Sequence, residues 1–184
     1  MSHRYFVLTG GPGAGKSSLI AALARSGHHH MPEAGRAIIR AQQAIGGDAL
    51  PWRDRAAFAE LMLSWDMRSH AEAMSRPGPV LFDRGIPDVV GYLRLCGLPA
   101  PAHVLCAAMR CRYHRRVFLA PYWPKIFTQD AERRQDPAEA EATCQMMART
   151  YAALGYEIVP LPRASIAERT AFVAHHIAAA MRED

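Results

Sequence analysis

The most constraining stretch of this chain is Gly10-Gly11-Pro12-Gly13-Ala14-Gly15-Lys16-Ser17. It fills every fixed position of the phosphate-loop pattern Gly-x-x-x-x-Gly-Lys-Ser/Thr. The flanks agree with it. Tyr5 to Thr9 is a short apolar, β-favouring run suited to a strand buried on both faces, and Leu19 to Ala24 is a helical run stopped by Gly27. Strand, glycine loop and helix are the parts such a site requires. A triphosphate needs several backbone N–H groups converging on it, and glycines let the chain curl that closely. The following helix adds its free N–H groups and the positive end of its dipole. Gly11, Pro12, Gly13, Ala14, Gly15, Lys16, Ser17 and Ser18 are therefore the expected contacts to ATP. Lys16 would reach the β- and γ-phosphates, and the Ser17 hydroxyl would hold Mg2+.

The rest of the chain alternates short apolar runs with helical patterns. His28 to Met31 reads as a second strand and Glu33 to Ile45 as a helix ending at Gly46-Gly47. Asp54 to Ser75 reads as an amphipathic helix with Phe58, Leu61, Met62 and Trp65 on one face. Val80 to Phe82 is a third strand, closing on Asp83. Helices are expected from Asp88 to Cys96 and from Pro101 to about His114, followed by a strand from Val117 to Ala120. Asp136-Pro137-x-Glu139 opens a helix that should end at Gly155. Tyr156 to Val159 is the last strand, and Ser165-x-x-Glu168 is a capping box opening a terminal helix to about Met181. Strands alternating with helices predict a parallel α/β sheet with right-handed crossovers. The 184 residues suit one domain, with no linker or repeat.

Three further places carry chemistry. Asp83 ends a strand, and strand C-termini share one edge in a parallel sheet, so its carboxylate is placed to hold Mg2+ beside the loop. Its other reading is a cap for the next helix. Glu33, in Pro32-Glu33-Ala34-Gly35-Arg36, follows the second strand. It reads as an acid that complements a helix dipole; equally, its place resembles that of the acid near the end of the second strand in P-loop nucleoside and nucleotide kinases, which implies an acceptor-side base with Arg36 one turn later. The segment from Pro121 to about Asp136 is polar, aromatic and aperiodic. Arg133 and Arg134 could close there over a migrating phosphoryl group, with Lys125 a weaker third; the other reading is a solvated basic loop.

Asp83-Arg84-Gly85 resembles the Asp-Arg-Gly or Asp-Arg-Ser element of P-loop nucleoside and nucleotide kinases, and that likeness implies that Arg84 approaches the phosphates or the acceptor. The glycine loop, Glu33-Ala34-Gly35-Arg36, Asp83-Arg84-Gly85, Val117-Phe118-Leu119, Asp130-x-Glu132-Arg133-Arg134 and Glu168-Arg169 occur in that order. Together they resemble the AAA-type ATPase domain family that includes the ribosylnicotinamide kinase region of bacterial NAD-biosynthesis regulators. The likeness covers nearly the whole chain. It implies a three-layer P-loop NTPase fold with a five-stranded parallel sheet in the order 2-3-1-4-5, MgATP binding and, in some members, phosphorylation of a small molecule. It also implies that Arg163, after the last strand, faces the adenine, where a helix-entry loop explains the residue nearly as well. The adenylyltransferase and DNA-binding regions of those regulators have no counterpart here, so their regulatory role is not carried over.

The remaining composition narrows the partners. The formal charge is +5, carried by 20 arginines and only two lysines, Lys16 and Lys125. One lysine sits in the phosphate loop, and Arg84, Arg133 and Arg134 fall where phosphates would need them. The excess thus reads as a triphosphate site rather than a nucleic-acid track. The string from Arg110 to Arg116 reads as basic residues at a helix C-terminus. Adjacent residues of a strand point in alternating directions, so His28-His29-His30 cannot all share one ion. Cys96, Cys106, Cys111 and Cys144 fit no zinc spacing, and reduced thiols are expected. No apolar run is long enough to cross a membrane or act as a signal peptide, which predicts a soluble, cytoplasmic protein. The expected activity is transfer of the γ-phosphoryl of MgATP to a small nucleoside-like or other hydroxyl-bearing metabolite, with Glu33 or Asp83 taking the acceptor proton. The alternative is a regulatory ATPase that hydrolyses or senses ATP without such an acceptor. Oligomeric state, acceptor identity and ATP-versus-GTP preference are not legible.

Overall fold

The computed structural model describes residues 3–127 and 136–183. Five parallel strands form one sheet: β1 (Tyr5–Gly10), β2 (His29–Met31), β3 (Val80–Asp83), β4 (Arg116–Ala120) and β5 (Glu157–Pro160). Their order is β2-β3-β1-β4-β5, the one implied by the family resemblance. Among the described residues seven α-helices surround them: α1 (Lys16–Arg25), α2 (Ala34–Ile45), α3 (Arg55–Glu72), α4 (Ile86–Leu95), α5 (Ala102–Arg110), α6 (Pro137–Ala153) and, after the last strand, α7 (Ile166–Glu183).

Every residue of β1 and β3 is buried, as a strand covered on both faces must be. Alternation assigns their side chains to opposite sides. Phe6, Leu8 and Leu81 join Leu19 and Leu23 of α1 and Val173 and Ile177 of α7 on one face. Tyr5, Val7, Val80 and Phe82 pack with Tyr113, Tyr151 and Tyr156 on the other. All five strands run the same way, so the segments after β1, β2, β3 and β4 emerge at one edge of the sheet. The glycine loop, Glu33, Asp83 and Arg84, and the 121–136 segment all start there.

Several boundaries differ from expectation for local physical reasons. The third helix of the chain buries Phe58, Ala59, Leu63 and Asp66, whereas Leu61 is exposed; its buried stripe is rotated from the expected one. The fourth starts at Ile86 rather than Asp88, because the Asp88 carboxylate accepts the Gly85 N–H at 3.0 Å and caps the helix from its third position. The fifth ends at Arg110, four residues early. Beyond it the His114 N–H donates to the Tyr5 carbonyl at 2.7 Å, and the Arg112 guanidinium lies 4.0 Å from the Tyr156 ring centroid. Of the string from Arg110 to Arg116, only Arg110 ends a helix; residues 112–115 form a loop and Arg116 opens β4. The capping boxes at Asp136–Glu139 and Ser165–Glu168 are both present, with the Asp136 and Ser165 N–H groups each donating to the partner glutamate at 2.9 Å.

Candidate active site

The glycine loop leaves β1 at Gly10, whose φ of +130° and close approach to β4 both require glycine: a Cβ there would lie 2.3 Å from the Ala120 carbonyl oxygen. Gly11 is as tightly held by α6, with a Cβ position 2.3 Å from the Ala140 oxygen. Gly13 and Gly15 take left-handed conformations, and no side chain caps the first turn of α1 after Gly15. An uncapped helix N-terminus of this kind leaves backbone donors that suit an anion. Lys16 is buried and donates to the Gly10 and Gly11 carbonyls at 3.2 and 2.6 Å. The Ser17 and Ser18 hydroxyls are exposed.

A residue absent from the sequence-based site holds this loop from behind. Arg169 of α7 is fully buried and donates through both terminal nitrogens to the Ala14 carbonyl, at 3.1 and 3.2 Å. Burial lowers its pKa. Its NH1 lies 3.0 Å from where a Gly15 Cβ would be. The guanidinium therefore packs directly against the backbone of the loop at Ala14 and Gly15.

Beside the loop lies a cavity of about 160 Å³. Pro12 of the loop, Ile39, Phe58, Met62 and Tyr92 line it, with Glu33, Arg36, Asp66, Arg84 and Asp88 as its charged groups. Trp52 and Trp65 do not wall it. Glu33 is the N-cap residue of α2, yet its side chain caps nothing there. It accepts instead from the Arg84 Nε at 3.0 Å and pairs with the Arg36 Nε at 3.8 Å. The carboxylate thus makes no cap bond and sits among the charged groups of the cavity.

Arg84 sits in a left-handed conformation (φ +72°), the single non-glycine among the described residues to do so. Its NH1 donates to Asp88 at 3.0 Å. Burial alone would lower its pKa, but the carboxylates of Glu33, Asp88 and Asp83 outweigh that and push it up; the guanidinium is permanently charged. Gly85 must be a glycine for a neighbour's sake, since a Cβ would meet the Tyr113 ring at 2.9 Å. Asp83 is buried at the end of β3, in register with Leu8 of β1.

Two acids were missed as site residues. Asp66 is buried in α3, and burial followed by the nearby Asp88 charge raises its carboxyl well above the usual range. It lies four and eight residues after Met62 and Phe58, so an acid on a helix's buried face was the available signal. Asp88 accepts from Thr9 and Tyr151 as well as from Arg84 and Gly85. The donors at residues 9 and 151 are distant in sequence, and no local pattern announces them. Arg163 is exposed and donates to the Tyr122 carbonyl at 3.1 Å. Lys125 is exposed in a short 3-10 turn (Pro124–Ile126). Arg133 and Arg134 lie outside the described residues.

The oxygen donors present suit a hard divalent cation: the exposed Ser17 hydroxyl in the first turn of α1 and the Asp83 carboxylate at the adjacent strand end. Among the described residues no group of three His, Cys, Asp or Glu side chains forms a metal cluster, and no helix is long and apolar enough to cross a membrane.

The AAA domain family model matches residues 5–169. The chain belongs to the AAA domain family. Comparison with curated proteins finds no match by sequence. Among solved structures, this AAA domain is similar to a deoxyadenosine kinase from M. mycoides bound to the products dCMP and dCDP. The TM-score is 0.69 at 11% identity, covering 95% of this chain and 99% of that one. It is also similar to NadR in complex with NR, with a TM-score of 0.67 at 18% identity. A NadR complex with NAD and AMP-PNP gives 0.63 at the same identity. In both cases the match spans 98% of this chain and about half of NadR, 51% and 49%. At these identities the likeness concerns the fold, which is that of P-loop nucleoside kinases.

Proposed function

We propose that this AAA domain is an ATP-dependent kinase that transfers the γ-phosphoryl group to a hydroxyl of a small, nucleoside-like metabolite. The observation that carries the reading is the cavity beside the glycine loop, walled by Phe58, Met62 and Tyr92 and bearing Glu33 at its rim. An ATPase that hydrolyses without an acceptor has no use for an apolar pocket at that place. The neighbours' bound ligands, dCMP and NR, support an acceptor of this size and kind.

In this reading the glycine-loop N–H groups and the first turn of α1 hold the phosphates, and Lys16 exchanges the Gly10 and Gly11 carbonyls for phosphate oxygens. Ser17 and Asp83 would hold Mg2+, which neutralises charge between the β- and γ-phosphates when bound. Glu33 orients the acceptor hydroxyl and takes its proton as the oxygen attacks phosphorus in line. Arg84 aims Glu33 through its Nε contact. Arg133 and Arg134 would stabilise the transferring group, and Arg163 would border the adenine. The protein is read as a single soluble domain working with ATP and a small acceptor, without nucleic acid or membrane.

Incubation with MgATP and a panel of nucleosides, nucleotides and other hydroxyl-bearing metabolites tests this. A phosphorylated product should form with at least one acceptor and fall by a hundredfold or more in Lys16→Ala. ADP release that no acceptor stimulates, with no phosphorylated product, would establish the ATPase instead.

A further inference from the structure

We propose that Asp88 is the positioning residue of this site: its carboxylate fixes the Arg84 guanidinium, and through it Glu33, and ties both to α6 through Tyr151. The inference deepens the kinase reading, since it concerns how the acceptor-side base is held.

A carboxylate offers about four lone-pair directions, and all four are taken. Oδ1 accepts from the Thr9 hydroxyl at 2.5 Å and from the Arg84 NH1 at 3.0 Å. Oδ2 accepts from the Gly85 N–H at 3.0 Å and from the Tyr151 hydroxyl at 2.6 Å. The donors come from the central strand, from the turn after β3 and from α6. Thr9 and Tyr151 are fully buried and Asp88 is 5% exposed. Burial and the Asp88 charge keep the Tyr151 phenol protonated, so it is a permanent donor.

A helix cap alone would use only the Gly85 bond. The other three bonds need a different explanation, and the Arg84 backbone supplies it. A non-glycine residue stays in the left-handed region only where its surroundings over-determine it. Arg84 is held at both ends of its guanidinium, by Asp88 through NH1 and by Glu33 through Nε. Without Asp88 the guanidinium would keep its Glu33 contact but lose its second anchor, and the partner that directs Glu33 from the β3 end would be loosened. Because α6 also packs against Gly11, the same carboxylate connects the acceptor side to an element that touches the phosphate loop.

The test compares wild type with Asp88→Asn, which keeps the shape but presents an amide N–H₂ to one pair of donors. In 15N-labelled protein the Arg84 Nε–H should give a dispersed, slowly exchanging resonance, identified by its loss in Arg84→Lys. Asp88→Asn should return it to the position of exposed arginines. In the assay, kcat should fall tenfold or more while KM for MgATP stays within twofold. An unchanged Arg84 resonance and an unchanged kcat in a folded Asp88→Asn protein would overturn the proposal. Should that variant not fold, Tyr151→Phe removes one donor and should give the same changes, smaller in size. If wild type phosphorylates no acceptor, the kinase reading fails, and the Arg84 resonance still decides the role of Asp88.

Discussion

Replacing Arg169 by methionine keeps the aliphatic stem in α7 and deletes the guanidinium that holds the phosphate loop. Two charge-assisted hydrogen bonds to the Ala14 carbonyl are lost, about 1.5–3 kcal/mol in all once a shared acceptor is allowed for. Against this, a buried cation whose pKa is already lowered by burial no longer has to be kept from water, which returns part of the cost. The net loss is about 1–2 kcal/mol, and for a chain of this size Tm falls by about 2–8 °C. The larger effect belongs to the ligand. Ala14 lies between the left-handed Gly13 and Gly15, so a loop released there must be reordered when ATP binds. A tenfold weaker Kd corresponds to about 1.4 kcal/mol of that ordering. Thermal melting and calorimetric titration with MgATP measure the two effects separately. Arg169→Lys, with the charge but not the forked donors, should fall between wild type and methionine. Wild-type Kd and Tm in Arg169→Met would refute the reasoning, because the guanidinium would then be filling space and not shaping the loop.

Asp66→Asn should stabilise the protein, increasingly so as the pH rises. The carboxyl is raised in the folded state, so above pH about 4 the unfolded chain ionises it while the folded chain keeps the proton. Each further pH unit costs the wild type about 1.4 kcal/mol until its folded pKa is passed. Melting both proteins from pH 4 to 8 should show a Tm difference near zero at the acid end that widens upward; a constant gap would contradict the raised pKa. Gly11→Ala should weaken MgATP binding at least tenfold, since its Cβ would fall 2.3 Å from the Ala140 oxygen and push loop and helix apart. Gly27→Ala is the control. Its φ of +93° costs about 1 kcal/mol of stability, but nothing lies within 4 Å of the added Cβ, and ATP affinity should not change.

What was legible in the sequence was local. The phosphate loop is a pattern of eight consecutive residues whose backbone geometry depends on its own glycines, so one stretch suffices to read it. The strands β1 and β3 are legible because burial on both faces makes them apolar throughout, and the capping boxes because their partners are three residues apart. The strand order followed from the resemblance, and the parallel sheet then put Glu33, Asp83 and Arg84 at the loop's edge. The tertiary structure alone decided which charges meet. Glu33 is 51 residues from Arg84, Asp88 is 79 from Thr9 and 63 from Tyr151, and Arg169 is 155 from Ala14. Hydrogen bonds at such separations leave no periodicity in the chain, because their geometry is set by how helices cross the sheet and not by residue spacing. The sequence by itself thus determined that a glycine loop of the phosphate-binding pattern follows β1. Only the packing of α3, α4, α6 and α7 decided that one carboxylate, Asp88, gathers the acceptor side together and that one buried arginine, Arg169, holds the cradle in shape.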